Sequence, residues 1–334
     1  MILAGDLGGT KTLLAICEVA GESVHVQREA SFASGDHGCL EDIVEKFLRE
    51  LAPELRAIDA ACFGVAGPVS GSTATITNLP WTVDATSLSR LLGGADVSLM
   101  NDLQAAALGL LTLPASSFVG LQAPAAPPAA GGTVAVLAPG TGFGQALLVH
   151  LAGEYHALSM EAGHADFAAT TDEEYELATF LRQRYGQHVS YEHVLCGAGL
   201  SNVYDFVRAR SKQPEPAWLS AALASPQQRN AMISTTALEG KDPCCVRALE
   251  LFVEILGNEA GNAALRGLAR GGVILGGGIP PKILPALKRT SFLTRFRNKG
   301  HFAAWMESLE VRVSLEPRAG LLGAAHRARS AQKA

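Results

Sequence analysis

Leu40, Ile43, Val44, Phe47, Leu48 and Leu51 recur at i, i+3, i+4, i+7, i+8 and i+11. That spacing predicts a helix with one apolar face and with Glu41, Glu45, Lys46 and Arg49 turned away from it. Ahead of it, the short apolar runs Ile2 to Leu7 and Thr12 to Val19 flank a Gly-Gly-Thr turn, the pattern of a β-hairpin with a glycine tip. Val24 to Phe32 continues the sheet, and Ala60 to Ala66 and Val97 to Met100 read as buried strands. Leu103 to Leu111 follows as a helix that Asn101 or Asp102 caps.

A loop rich in proline, alanine and glycine, Gln122 to Gly132, separates this region from a second one. Thr133 to Ala138 and Phe143 to Leu151 are again apolar strand-like runs around Pro139, Gly140, Thr141 and Gly142. One device is therefore used twice: strand, glycine turn with a threonine, strand. No solenoid period is visible, so two related lobes are expected rather than an array. Helices are predicted over Glu173 to Tyr185, Tyr191 to Arg208 and Val246 to Leu268, then a strand-turn-helix over Gly272 to Leu287. Val311 to Leu315 reads as a strand and Arg318 to Ala331 as a closing helix. Strands and helices mixed in this way predict an α/β protein. At 334 residues, two lobes are expected, 1–110 with 301–334 and 111–300.

Composition narrows the classes. With 48% apolar residues there is ample material for a core, and a net charge of -5 argues against nucleic acid or an anionic membrane as main partner. The six cysteines show no C-x-x-C spacing, so a reducing cytoplasm is expected and neither a disulfide framework nor a zinc site. Asp6 interrupts the first apolar run too early for a signal peptide, and no run of about 18 apolar residues predicts a membrane span.

Five segments and the separate Glu192 carry candidate chemistry. Gly5, Asp6, Leu7, Gly8, Gly9 and Thr10 form a glycine tip whose N–H groups suit phosphate oxygens, and Asp6 suits Mg²⁺ held through water. A Walker A loop is rejected, because Thr10 stands where that motif needs glycine and a strand follows rather than a helix. Gly140, Thr141 and Gly142 suit a second phosphate clamp; the spacing is wrong for a dinucleotide fold. Gly277 and Gly278, in a run of three glycines closing a strand, suit a flat ring such as adenosine lying on the backbone. Asn101 and Asp102 end a strand, where Asp102 suits a base for a hydroxyl proton and Asn101 a substrate contact. Glu161 and His164, three apart, suit a polyol, and Glu192 is the weakest candidate. Each has a plain structural reading too: a hairpin turn, a helix cap, a structural histidine, a solvated carboxylate.

Their order along the chain resembles the hexokinase/actin-like ATPase superfamily and, more narrowly, the bacterial glucokinase family. The resemblance extends over Gly64 to Val69, Thr77 to Trp81, Val194 to Leu200 and Ala319 to Ala324, nearly end to end. It implies a two-lobed ribonuclease H-like fold with a cleft that closes over the sugar, and a homodimer. It also implies ATP-dependent phosphorylation of glucose at the 6-hydroxyl. Gly5 to Thr10 would match the ATP loop, and Asn101, Asp102, Glu161, His164 and Glu192 the glucose positions, with Asp102 as base. Phe167 and the residues after it replace the cysteine-rich zinc motif of the related ROK kinases and repressors, which points to the zinc-free type. A sugar-sensing repressor would carry a DNA-binding segment ahead of Gly5, and none is expected here. Lys11, Cys196 and Ala198 depart from the family pattern and leave sugar preference open to a mannose, fructose or amino-sugar kinase of the same fold.

Overall fold

Ile2–Leu7 is buried along nearly its whole length, because it is the middle strand of a sheet covered on both faces. It pairs antiparallel with Lys11–Ala20, with Leu7 opposite Thr12 at the glycine tip, and parallel with Ala60–Val65. Ser23–Ala33 and Asp96–Asn101 complete the five strands at the two edges. Alternation sorts the side chains. Leu3, Leu7, Phe63 and Val65 face one layer, with Leu40, Ile43, Val44 and Phe47 of the helix Leu40–Arg49. Ile2, Ala4, Ala60 and Cys62 face the other, with Leu321, Ala324, Ala325 and Ala328 of the last helix, Ala319–Ala331. The second face is built from small residues, which lets that helix approach closely.

The computed structural model describes residues 1–20, 23–77, 79–124, 130–212, 214–226 and 228–331. Asn78 of the Thr77 to Trp81 match and residues 125–129 of the Gln122 to Gly132 loop lie outside the described residues. Contacts divide the chain into Met1–Ser117 with Leu151–Ser159 and Glu316–Ala334, and Phe118–His150 with Met160–Leu315. Residues 301–315, expected with the first unit, thus fall with the second.

The second unit repeats the plan of the first. Val134–Pro139 pairs antiparallel with Phe143–Leu151, Pro139 facing Phe143 across the glycine turn, and parallel with Val273–Leu275. Val311–Ser314 continues the parallel set, and Phe118–Gln122 joins it antiparallel. Helix Pro243–Gly267 packs on this sheet and helix Gly197–Ser211 packs on that helix, with Leu200, Val203, Leu256 and Ala260 in one core. Among the described residues no helix is long and apolar enough to cross a membrane.

Two sequence expectations change. The helix expected from Tyr191 starts at Gly197, with Cys196 as its cap: the Cys196 sulfur accepts the Gly199 N–H at 3.3 Å. Before it, Tyr191 and Glu192 instead bond backbone to backbone with the 163–167 segment, Tyr191 N–H to Ala165 O at 3.0 Å and Glu192 N–H to Gly163 O at 2.8 Å, and the N–H groups of Val194 and Leu195 turn back onto the Tyr191 carbonyl. The helix expected by Leu287 is one short turn, Leu284–Leu287, because Pro280 and Pro281 delay its start. A small sheet of Val69–Ser70, Thr73–Thr75 and Thr82–Asp84 was not legible, its strands being too short to show a period.

Candidate functional site

In the first unit, Asn101 closes the strand Asp96–Asn101 and caps the helix Asp102–Leu111. Its side-chain oxygen accepts the N–H groups of Leu103 and Gln104, and the Gln104 carbonyl accepts the Asn101 N–H at 3.3 Å. That reciprocal pair is a capping box. Capping therefore falls to Asn101, and Asp102 stands at the first helical position, its Oδ1 accepting the Leu103 N–H at 2.8 Å. A Cβ on Gly64 would lie 3.6 Å from the Asp102 Cα, so the strand carrying Gly64 runs directly beside this turn.

Asp6 belongs to the same place. Burial first, and then the charge of Asp102, push its carboxyl up to about 6, while Lys11 draws it down. Its Oδ2 also lies 2.9 Å from where a Cβ on Gly320 would be, at the start of the last helix. At the glycine tip, the Gly8 N–H donates to the Lys11 carbonyl at 3.0 Å, and the Ser34 hydroxyl donates to Gly8 O at 2.8 Å. The Gly8 N–H is thus engaged in closing the hairpin. Leu7 is fully buried and contributes no side chain to a ligand surface, while Thr10 is exposed at the tip.

In the second unit, Glu192 is not a solvated helix-start carboxylate. Its Oε2 accepts the Phe143 N–H at 2.8 Å, and a Cβ on Gly142 would lie 2.7 Å from that oxygen. The glycine of the turn is what makes room for it. Gly163 is required more strictly, since a Cβ there would meet the backbone carbonyl of Phe143 at 2.0 Å. Glu161 and His164 flank Gly163 around a single 3₁₀ turn and are both exposed. Beside them, burial lowers the His193 pKa, aided by His188 and by His164 and opposed by Glu192. Its Nδ1 accepts the Ser190 N–H at 3.1 Å and its ring stacks on Tyr185 at 4.0 Å, as a neutral imidazole would. Behind, Gln145 donates to the fully buried Glu259 at 2.9 Å, and Asn262 joins Glu259 to the Tyr191 hydroxyl. This fixes the strand of Phe143 and the residue before Glu192.

The two glycine turns of this unit meet. A Cβ on Gly140 would lie 4.0 Å from the Gly278 nitrogen, and Gly277, at φ 78°, leaves no space for one beside the Pro139 carbonyl. Gly140 N–H closes onto Gly142 O at 2.8 Å, and Gly140 O accepts the first N–H of the helix Gly197–Ser211. Around them lies a cavity of about 460 Å³, lined by Gly140, Thr141 and Gly278 together with Ser201, Asn230 and Lys282. Lys282, Asn230 and Ser201 were missed from sequence; only Lys282, four residues past Gly278, carried a readable signal. Its size suits a nucleotide-sized ligand.

Residues 3–331 match the family model described as glucokinase. A glucokinase of Nostoc sp. is 36% identical, over 97% of this chain and 98% of its own. A glucokinase structure from an Antarctic psychrotroph superposes with a TM-score of 0.85 at 29% identity, covering 98% of each chain. A ROK-family glucokinase of Streptomyces griseus, solved with glucose and AMPPNP, shares the fold at a TM-score of 0.66 and 21% identity, over 98% of this chain and 99% of that one.

Proposed function

The chain belongs to the glucokinase family, and from that premise we propose how its residues transfer the terminal phosphoryl group of ATP to the 6-hydroxyl of glucose. Asn101, Asp102, Glu161, His164 and Glu192 hold the sugar. Gly5 to Thr10, Gly140 to Gly142, Gly277 and Gly278 hold ATP, and Lys282 adds a cation to the cavity beside the last two groups. The observation that carries the role of Asp102 is the division of labour at the strand end. Asn101 caps the helix, and Asp102 next to it keeps a carboxylate whose charge reaches Asp6.

In the reaction a bond forms from the sugar oxygen to the γ-phosphorus, the bond to the β-phosphate oxygen breaks, and ADP leaves. Asp102 orients the hydroxyl and takes its proton. Phosphoryl transfer passes through a loose transition state, so positioning and electrostatics matter more than base strength. Burial, and after it the charge of Asp102, raise the Asp6 pKa to about 6, and two carboxylates so placed fit a divalent cation. Asp6 would hold Mg²⁺ through water. Among the described residues no group of three or more His, Cys, Asp or Glu gathers, so the other ligands would be phosphates and water, as Mg²⁺ favours. The ion would neutralise the β- and γ-phosphate oxygens.

The test is Asp102→Asn in a coupled assay of ADP release. Turnover is expected to fall by about 10²–10⁴-fold with glucose affinity little changed; near-normal turnover would remove Asp102 from this role. The same assay across glucose, mannose, fructose and an amino sugar checks that glucose is preferred. We extend the reading to a homodimer working in the cytoplasm. The first is checked by molar mass in solution; the second is in keeping with six unpaired cysteines.

A further inference from the structure

A second cavity, of about 710 Å³, lies wholly within the first unit, and none of the assigned sugar or ATP groups lines it. One wall is apolar, from Leu99, Leu108 and Leu111. Arg327 and Arg329 of the last helix also line it, with His326 next to them in sequence and His156 on the strand Glu154–Met160. Glu154 is the one acid of the lining. Arg327 is exposed, and no ion pair of it is found among the described residues. A cavity of this size with an apolar wall and a cationic edge matches a small ligand that is apolar at one end and anionic at the other.

The cavity is also tied to the strand end. Gln104, which lines it, accepts the Asn101 N–H with its carbonyl and donates from its amide to the Ala157 carbonyl at 3.2 Å. Ala157 lines the cavity as well. One side chain therefore joins the cavity wall to the residue that precedes Asp102.

We propose that this cavity is a second small-molecule site, binding an organic anion with a phosphate or carboxylate head and a compact apolar body, and that its occupancy is coupled through Gln104 to glucose binding at Asn101. Only the coupling rests on the sugar reading above; binding itself requires no activity, so the two can fail separately. Linkage makes the coupling reciprocal.

The experiment is calorimetric titration of the full chain, with AMPPNP and glucose present, using phenyl phosphate and benzoate as complete probes. Inorganic phosphate and benzyl alcohol test head and body alone. One complete probe is expected to bind saturably at one per chain, and more tightly than either part; which one binds identifies the head. Arg327→Gln is expected to weaken it by about tenfold, the loss of one charge-assisted contact. Leu108→Trp, which fills the apolar side, should abolish it; retained turnover in both variants shows that they are folded. No saturable binding, or binding in both variants as tight as in the wild type, would overturn the site. In the wild type the bound probe should shift the KM for glucose at least about twofold, a coupling of some tenths of a kcal/mol, and in Arg327→Gln it should not. Binding with no such shift would overturn the coupling.

Discussion

Asp6 holds its proton up to about 6 in the folded chain, against an ordinary value of 3.8. The native state therefore binds more protons than the unfolded state between those two values, so stability falls as pH rises through that window. Asp6→Asn removes the ionisation. It is expected to raise the melting temperature of the ligand-free protein above pH 6, to leave it unchanged near pH 3 and to lower activity; thermal melts across pH check this. A melting temperature lowered at neutral pH would contradict it. Gly142 makes a different prediction. The atom a Cβ would displace is the end of a flexible side chain, the Glu192 carboxylate, and the φ of Gly142 is not in the left-handed region. Gly142→Ala should thus keep its stability while raising the KM for glucose by about tenfold, the loss of one hydrogen bond to a charged group. Steady-state kinetics beside a denaturation curve separate the two.

Helices and strands with a clear period were legible: the helix Leu40–Arg49, the helix Asp102–Leu111 and the hairpin of Ile2–Leu7 with Lys11–Ala20 all stand where the pattern put them. The cap of the second of these helices was left between Asn101 and Asp102, and the capping box of Asn101 with Gln104 decided it in the structure. Between Tyr191 and Cys196 the apolar spacing was compatible with helix, but long-range backbone bonds to 163–167 took Tyr191 and Glu192 instead, and the helix starts only after them. Small residues gave no such signal for how closely helices pair. A Cβ on Gly323 would lie 1.8 Å from the Ala105 carbonyl, and one on Gly109 the same distance from the Ala319 carbonyl. The last helix and the helix of Asp102 meet backbone against backbone, where nothing flexible can give way. Gly323→Ala is expected to destabilise by about 1–3 kcal/mol through overpacking and to lower kcat by moving Asp102. Urea denaturation and turnover measure both, and an unchanged midpoint would refute the contact.

At the scale of the whole molecule, the proposed glucose ligands Asn101, Asp102, Glu161, His164 and Glu192 predict how the sugar stabilises the chain. Glucose at about a hundredfold excess over Kd should stabilise the native chain by about 2.7 kcal/mol. Asn101→Ala and Glu192→Gln should each reduce the glucose-dependent rise in melting temperature; a full rise in either variant would remove that residue from the sugar. The sequence by itself determined the α/β class, the repeated strand-glycine-strand device and the residue types of the candidate site, because periodicity and turn chemistry are local. Tertiary structure alone decided that Glu192 sits beneath Gly142, that Asn101 rather than Asp102 caps its helix, and that Arg327 borders a cavity with Leu108. Those relations join residues far apart in the chain, or choose between neighbours of equal propensity, and only packing distinguishes them.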